Sequence, residues 1–166
     1  MKIDIHIEKI NNENFNNFLL LVEKLAKYEK LDPPDKEAKI RLRKDGLSKA
    51  PRYNAYLAKI NEKYVGYIIY FMSYSSFLAL QTLYLEDIFV LKEFRRRGVG
   101  RKLFEFCILK SKEKQCGRIE WHVLDWNKPG IDFYTKYRAK HLSSWLFFRL
   151  DKTQIKRISR KLELKK

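Results

Sequence analysis

The stretch EFRRRGVGRKLF, residues 93–104, sets Arg95, Arg96, Arg97, Arg101 and Lys102 around two glycines, Gly98 and Gly100. Clustered guanidinium and ammonium groups can neutralise nucleic-acid phosphates. Glycines at a helix start instead let one anion approach bare backbone amides, the geometry that holds a pyrophosphate. A solvated loop without a ligand is the third reading. The spacing is not Gly-x-x-x-x-Gly-Lys-Ser/Thr, which excludes the usual nucleoside triphosphate cradle, and Leu103 stands where Gly-x-Gly-x-x-Gly needs its third glycine. His122 has the side chain whose ordinary pKa suits proton transfer near neutrality, yet it reads better as a strand residue lining a site than as the base. Cys107 and Cys116 sit at no metal-ligand or redox spacing, and no metal is expected.

For the glycines to present amides, a strand must end just before them and a helix must begin with them. The pattern supplies both. TLYLEDIFVL, residues 82–91, is an apolar strand, and Leu103, Phe104, Cys107, Ile108 and Ser111 mark one face of a following helix that closes near Gln115 and Gly117. Upstream, Ile3, Ile5 and Ile7 alternate with Asp4, His6 and Glu8, which predicts a half-buried strand. Asn11 and Asn12 offer caps to a helix with Phe15, Phe18, Leu19, Val22 and Leu25 at helical spacing, and the prolines of LDPPD end it. A polar helix over about residues 35–44, closed by Gly46, and a hairpin turning at Asn61-Glu62 follow. RIEWHVL reads as a strand, PGIDFYTKY as a short helix and SSWLFFRL as a last strand. The order β-α-α-β-β-β-α-β-α-β describes a mixed sheet with helices on both faces.

The chain has 166 residues, 45% of them hydrophobic, with six Gly and four Pro, which is the composition of a folded domain and not of a disordered chain. Its formal charge of +16 asks for a polyanionic partner, nucleic acid, or simply solvated lysines. The scatter of lysines favours the last. Residues 152–166 form a basic tail after one domain over residues 1–151; Ile155, Ile158 and Leu162 in it predict a short amphipathic helix. No apolar run approaches the roughly 20 residues of a membrane span. Two cysteines and no recognisable leader predict a soluble protein of the reducing cytoplasm.

Arg95-Arg96-Arg97-Gly98-Val99-Gly100 resembles the Arg/Gln-x-x-Gly-x-Gly signature of the GCN5-related N-acetyltransferase (GNAT) superfamily. LAKYEKL (25–31), LYLEDIFV (83–90), DWNKPGIDFY (125–134) and HLSSW (141–145) resemble the matching blocks of its spermidine/spermine and thialysine acetyltransferase branch. The resemblance implies an α/β (α+β) GNAT fold, with a mixed, mostly antiparallel sheet of about six to seven strands and helices on both faces. It implies acetyl-coenzyme A as cosubstrate and a primary amine as acceptor. Glu86 would draw the proton from the amine, and Tyr134 would protonate the departing thiolate. The backbone of Ile88, Phe89 and Val90 would pair with the pantetheine arm. Arg95, Arg96, Arg97, Gly98, Val99, Gly100 and Arg101 would hold the pyrophosphate, and Asn127 would contact the cofactor. Tyr28, Glu29 and Asp87 match the acceptor pocket, with Trp121 and His122 on the strand flanking it. Relatives of this branch are typically dimers, so a homodimer joined through HLSSWLFFRL is expected.

The chemistry is coherent without the name. An amine with a pKa of about 10 must lose a proton before it attacks a thioester, and a carboxylate at a sheet opening can take it. One departure bears on the acceptor: the polyamine enzymes carry Glu-Glu-Gly between the equivalents of Ser144 and Trp145, and here these two residues adjoin. A short diamine or a lysine-like amine therefore competes with spermine as the expected substrate. Two alternatives stay open at this stage, acetylation of a protein lysine or N-terminus, and a non-catalytic module in which loop and tail bind nucleic acid.

Overall fold

In the computed structural model, which describes residues 3–164, the period-two segments become one five-stranded sheet in the order β1-β2-β3-β4-β5. The strands are β1 (His6–Lys9), β2 (Asn54–Ile60), β3 (Lys63–Ser75), β4 (Leu80–Val90) and β5 (Arg118–Glu120). The first four pair antiparallel and β5 joins β4 in parallel, so the sheet is mixed. The helices are α1 (Phe15–Glu29), α2 (Lys36–Gly46) and α3 (Val99–Glu113), then α4 (Lys128–Thr135) and α5 (Lys152–Glu163). Two compact units result, one ending at His122 and one beginning at Val123.

In the first unit, apolar faces decide where the helices lie. Phe15, Phe18 and Leu21 of α1 pack with Ala55, Leu57, Tyr67, Ile69 and Phe89 on one face of the sheet. Phe18 meets Tyr67 edge-on at 5.3 Å between ring centroids. Each such buried side chain contributes about 1.5–3 kcal/mol relative to exposure. α3 lies on the opposite face: Phe106 meets Tyr56 at 4.6 Å, and Tyr56 stacks on Tyr70. Val99, Leu103, Phe104, Cys107 and Ser111 are its buried residues.

The register of β3 against β4 slips at the centre of the sheet. Ile69 faces Asp87 whereas Tyr70 faces Leu85, so Glu86 is the extra residue of a β-bulge. A bulge inverts the alternation of the strand beyond it. Leu85, opposite Tyr70, belongs to the α3 face, while Asp87 and Phe89, opposite Ile69 and Tyr67, belong to the α1 face. β5 pairs with β4 only at Thr82, Leu83 and Tyr84, which leaves Leu85–Val90 without a β5 partner on that edge.

Three sequence expectations need correction. The described residues contain five strands, not six to seven. RIEWHVL is strand only at Arg118–Glu120, so Trp121 and His122 follow the strand instead of lying on it. SSWLFFRL forms no strand, and Trp145, Leu146, Phe147 and Phe148 are exposed. A strand needs a neighbouring backbone, and that segment finds none within the second unit. The tail helix forms as expected, capped reciprocally by Asp151 and Gln154. Ile155, Ile158 and Leu162 on it are exposed.

Candidate active site

Carboxylates gather beside the bulge. Asp87 accepts a hydrogen bond from the hydroxyl of Tyr67 at 3.0 Å. Burial pushes the Asp87 carboxyl up to about 6; the Tyr67 bond opposes that shift, and repulsion from Glu86 and Glu29 adds to it. Glu29, the last residue of α1, is raised by burial and by the charge of Glu86. Tyr67 is fully buried, and that burial together with Asp87 holds its hydroxyl well above the ordinary tyrosine range, so it stays a donor. Glu86 itself is exposed, as a bulge residue turned out of the pleat can be. On a chain of charge +16, Glu29, Glu86 and Asp87 together concentrate negative charge at one place.

A few residues downstream the chemistry reverses sign. Gly98 starts α3 at φ 87°, a left-handed conformation that glycine adopts without strain, and no side chain caps the helix. The first intrahelical bond runs from the amide of Lys102 to the carbonyl of Gly98. The amides of Val99, Gly100 and Arg101 therefore have no acceptor within the helix, at the end where the macrodipole is worth roughly half a positive charge. A Cβ added at Gly100 would lie 3.7 Å from Val90 Cγ2, an ordinary contact. Nothing in the fold forbids a side chain there, and the bare position leaves the neighbouring amides open to close approach. Along β4 the amide of Leu91 points to β3, bonded to the carbonyl of Val65. By alternation, Ile88 and Val90 turn their N–H and C=O groups to the other, β5-less edge, and Phe89 turns its own toward β3. Phe89 is buried, its side chain in the core. An extended amide-bearing arm would meet Ile88 and Val90. These features fit a pyrophosphate on the α3 start and a pantetheine along the strand edge.

The arginines divide. Arg96 has φ 59° and is exposed, as is Arg97, whose guanidinium lies 5.5 Å from the Phe94 ring. Arg101 approaches Glu105 at 3.9 Å on the surface of α3. Arg95 turns inward instead: its Nε donates to the Val90 carbonyl at 2.9 Å, and its guanidinium lies 4.6 Å from the Tyr28 ring.

Trp121 packs edge-on against Phe104 of α3 at 5.5 Å, on the face away from the carboxylates. His122 Nδ1 is hydrogen-bonded to the hydroxyl of Tyr84. In the second unit, Asn127 caps α4 by accepting from the Gly130 amide at 3.2 Å. Tyr134 is half-buried near the end of α4, with its ring 5.3 Å from Phe133. Tyr67 and Tyr84 are the site residues that sequence reasoning passed over. Their signal was strand parity, which becomes readable only once the bulge at Glu86 is known.

An amide-lined helix start for an anion, beside clustered carboxylates for a cation, is the layout of a transferase that brings an anionic carrier to an amine. Residues 18–138 match the model of the acetyltransferase (GNAT) family, and the chain belongs to that family. It is an N-acetyltransferase, moving an acetyl group from acetyl-coenzyme A to an amine. It is 33% identical over 158 residues to thialysine N-epsilon-acetyltransferase from Bos taurus, covering 89% of this chain and 92% of that one. Over 93 residues it is 39% identical to L-ornithine N5-acetyltransferase NATA1 from Arabidopsis thaliana, covering 55% of this chain and 41% of that protein. A solved structure of AAC(6')-Iy in complex with the bisubstrate analogue CoA-S-monomethyl-acetylneamine shares the fold with TM-score 0.74 at 18% identity, covering 89% of this chain and 99% of that one.

Proposed function

We propose that the acceptor is a small molecule with a lysine-like or diamine terminus, acetylated on its primary amine. The observation that carries this reading is the cluster of Glu29, Glu86 and Asp87, in which burial first and mutual repulsion second raise Glu29 and Asp87, a cost that a bound cation would offset. Relatives named for thialysine and ornithine point to the same acceptor chemistry. Glu29 and Asp87 hold the ammonium while Glu86 takes its proton, directly or through water. Acetyl-coenzyme A supplies, when bound, the thioester carbonyl that the free amine attacks. The amides of Val99, Gly100 and Arg101 hold its pyrophosphate, Ile88 and Val90 pair with its arm, and Asn127 helps to seat it. The Tyr134 hydroxyl gives a proton to the departing sulfur. No acyl-enzyme is needed: the Cys107 thiol is buried and pushed up to about 12, far from a nucleophilic thiolate at neutral pH. Longer polyamines bind less well, because the added charges find no acidic insertion beyond Ser144.

The test is a panel of thialysine, ornithine, lysine, 1,3-diaminopropane, spermidine and a lysine peptide, read as coenzyme A release. Lysine-like amines and short diamines should lead; a peptide that outruns every small amine overturns the reading. In the same proposal the protein works in the cytoplasm as a homodimer. Trp145, Leu146, Phe147 and Phe148 form a longer exposed apolar run than a monomer ordinarily shows. Sedimentation equilibrium should find a dimer that Phe148→Glu dissociates, and a wild-type monomer at micromolar concentration counts against it.

A further inference from the structure

Three consecutive arginines invite one role, positive charge for the pyrophosphate, but the first of them is placed differently from the others. Arg95 follows the short turn Lys92–Phe94 in extended conformation and is half-buried, whereas Arg96 and Arg97 are exposed. Its guanidinium lies over two rings, Tyr28 at 4.6 Å and Phe89 at 5.8 Å. Its Nε is committed to the carbonyl of Val90 at 2.9 Å. That carbonyl belongs to the edge of β4 that β5 leaves open, and Tyr28 is the neighbour of Glu29 in the last turn of α1. A swing of the Arg95 side chain out toward a phosphate would break a cation–π contact and a half-buried hydrogen bond.

We propose that Arg95 is a positioning residue of the amine site. It clamps Tyr28, and with it Glu29, against the cofactor-facing edge of β4, so that the glycine loop and the acceptor carboxylates move as one piece. The planar guanidinium suits a clamp of this kind, since one N–H is fixed on a carbonyl while the flat face covers a ring, a combination that lysine lacks. The inference rests on the acceptor site proposed above and adds to it a residue that the sequence motif assigns to the other ligand.

Steady-state kinetics of Arg95→Gln decide the matter. The amine KM should rise about tenfold, the scale of a partly desolvated cation–π contact. The dissociation constant and KM of acetyl-coenzyme A should stay within about twofold, because the amides that grip it are untouched. Arg95→Lys should recover part of the amine KM through its retained ring contact. Should Arg95→Gln be poorly folded, Tyr28→Leu breaks the same contact from α1 and should raise the amine KM alike, with acetyl-coenzyme A binding retained. The proposal is overturned if Arg95→Gln weakens acetyl-coenzyme A binding and leaves the amine KM alone, as a phosphate ligand would. It is overturned equally if thermal stability and kcat fall with both KM values unchanged. Glu29→Gln separates the two levels of inference. If it raises the amine KM while Arg95→Gln does not, only the role of Arg95 is lost; if neither does, the acceptor site itself lies elsewhere.

Discussion

The two ends of the site proposed within the first unit are built by opposite means. The anion end is main chain: Gly98 and Gly100 open α3, no side chain caps it, and its donors are amides that every residue carries. The cation end is side chain: Glu29, Glu86 and Asp87 are held by α1, a bulge and a buried tyrosine. α5 shows the contrasting kind of helix start, closed by its own side chains. There Asp151 accepts from the Gln154 amide at 2.8 Å and Gln154 accepts from the Asp151 amide at 2.9 Å, closing both donors. The difference teaches where strain is kept. At the anion end, stability is forgone as a missing cap, about 1 kcal/mol. At the cation end it is forgone as repulsion and burial, which costs more.

Variants can break the contrast, beginning at the acceptor. Glu86→Gln should lower kcat by about 100- to 10,000-fold, the range for a lost general base, with acetyl-coenzyme A affinity unchanged by calorimetry. An unchanged kcat would transfer the role of base to another group. Asp87→Asn tests the cost of burial. Its pKa is higher in the folded chain, about 6, than the 3.8 of a free side chain, so the native state binds the proton more tightly. Stability is fullest below the free value and is lost as pH rises through about 6. Removing the charge should therefore raise the unfolding free energy by up to about 3 kcal/mol at pH 7.5, with the gain vanishing toward pH 4. Urea titrations at several pH values measure it, and a gain that ignored pH would refute the account. The same variant should raise the amine KM, and wild-type kcat/KM for amines should fall as pH drops below about 6.

The smaller effects sharpen the other side. Gly100→Ala should weaken acetyl-coenzyme A about tenfold or more by blocking the approach to the amides, while the free protein gains about 0.5–1 kcal/mol of helix stability. Asp151→Ala should do the reverse: about 1 kcal/mol of local stability lost from α5, seen as faster amide exchange there, and acetyl-coenzyme A binding intact. If both variants affected binding equally, the distinction between a helix start kept open and one closed would fail.

The anion end was the more legible in sequence, and the reason is physical. A backbone requirement leaves a mark in residue type, since a left-handed turn and a close approach to amides both select glycine, here Gly98 and Gly100. The strand and helix flanking them were visible from periodicity alone. At the cation end, Glu86 and Asp87 were visible as residues, but the face each occupies depends on a bulge that alternation conceals. Tyr67 and Tyr84 therefore carry no mark in the sequence, and neither does the packing of Trp121 on Phe104 of α3. Arg95 shows the opposite limit, because a motif names a residue without saying where its side chain points, here over Tyr28 and Phe89. SSWLFFRL was read as a strand from its apolar run, which signals burial demand and not the neighbour that would satisfy it.

The bulge at Glu86 also has a consequence for how this enzyme can be silenced. Upstream of it β4 writes its odd-numbered side chains onto one face of the sheet, and downstream onto the other. The carboxylate cluster is thus a phase slip in an otherwise regular weave, and it is set by a count of residues more than by their kinds. Inserting one uncharged residue in β3 between Ile69 and Tyr70 would give Glu86 a partner and bring the strands back into step, so that Leu85 and Asp87 share a face and the cluster is broken up without altering a single charge around it. The shortest mutational route away from this chemistry is a change of length.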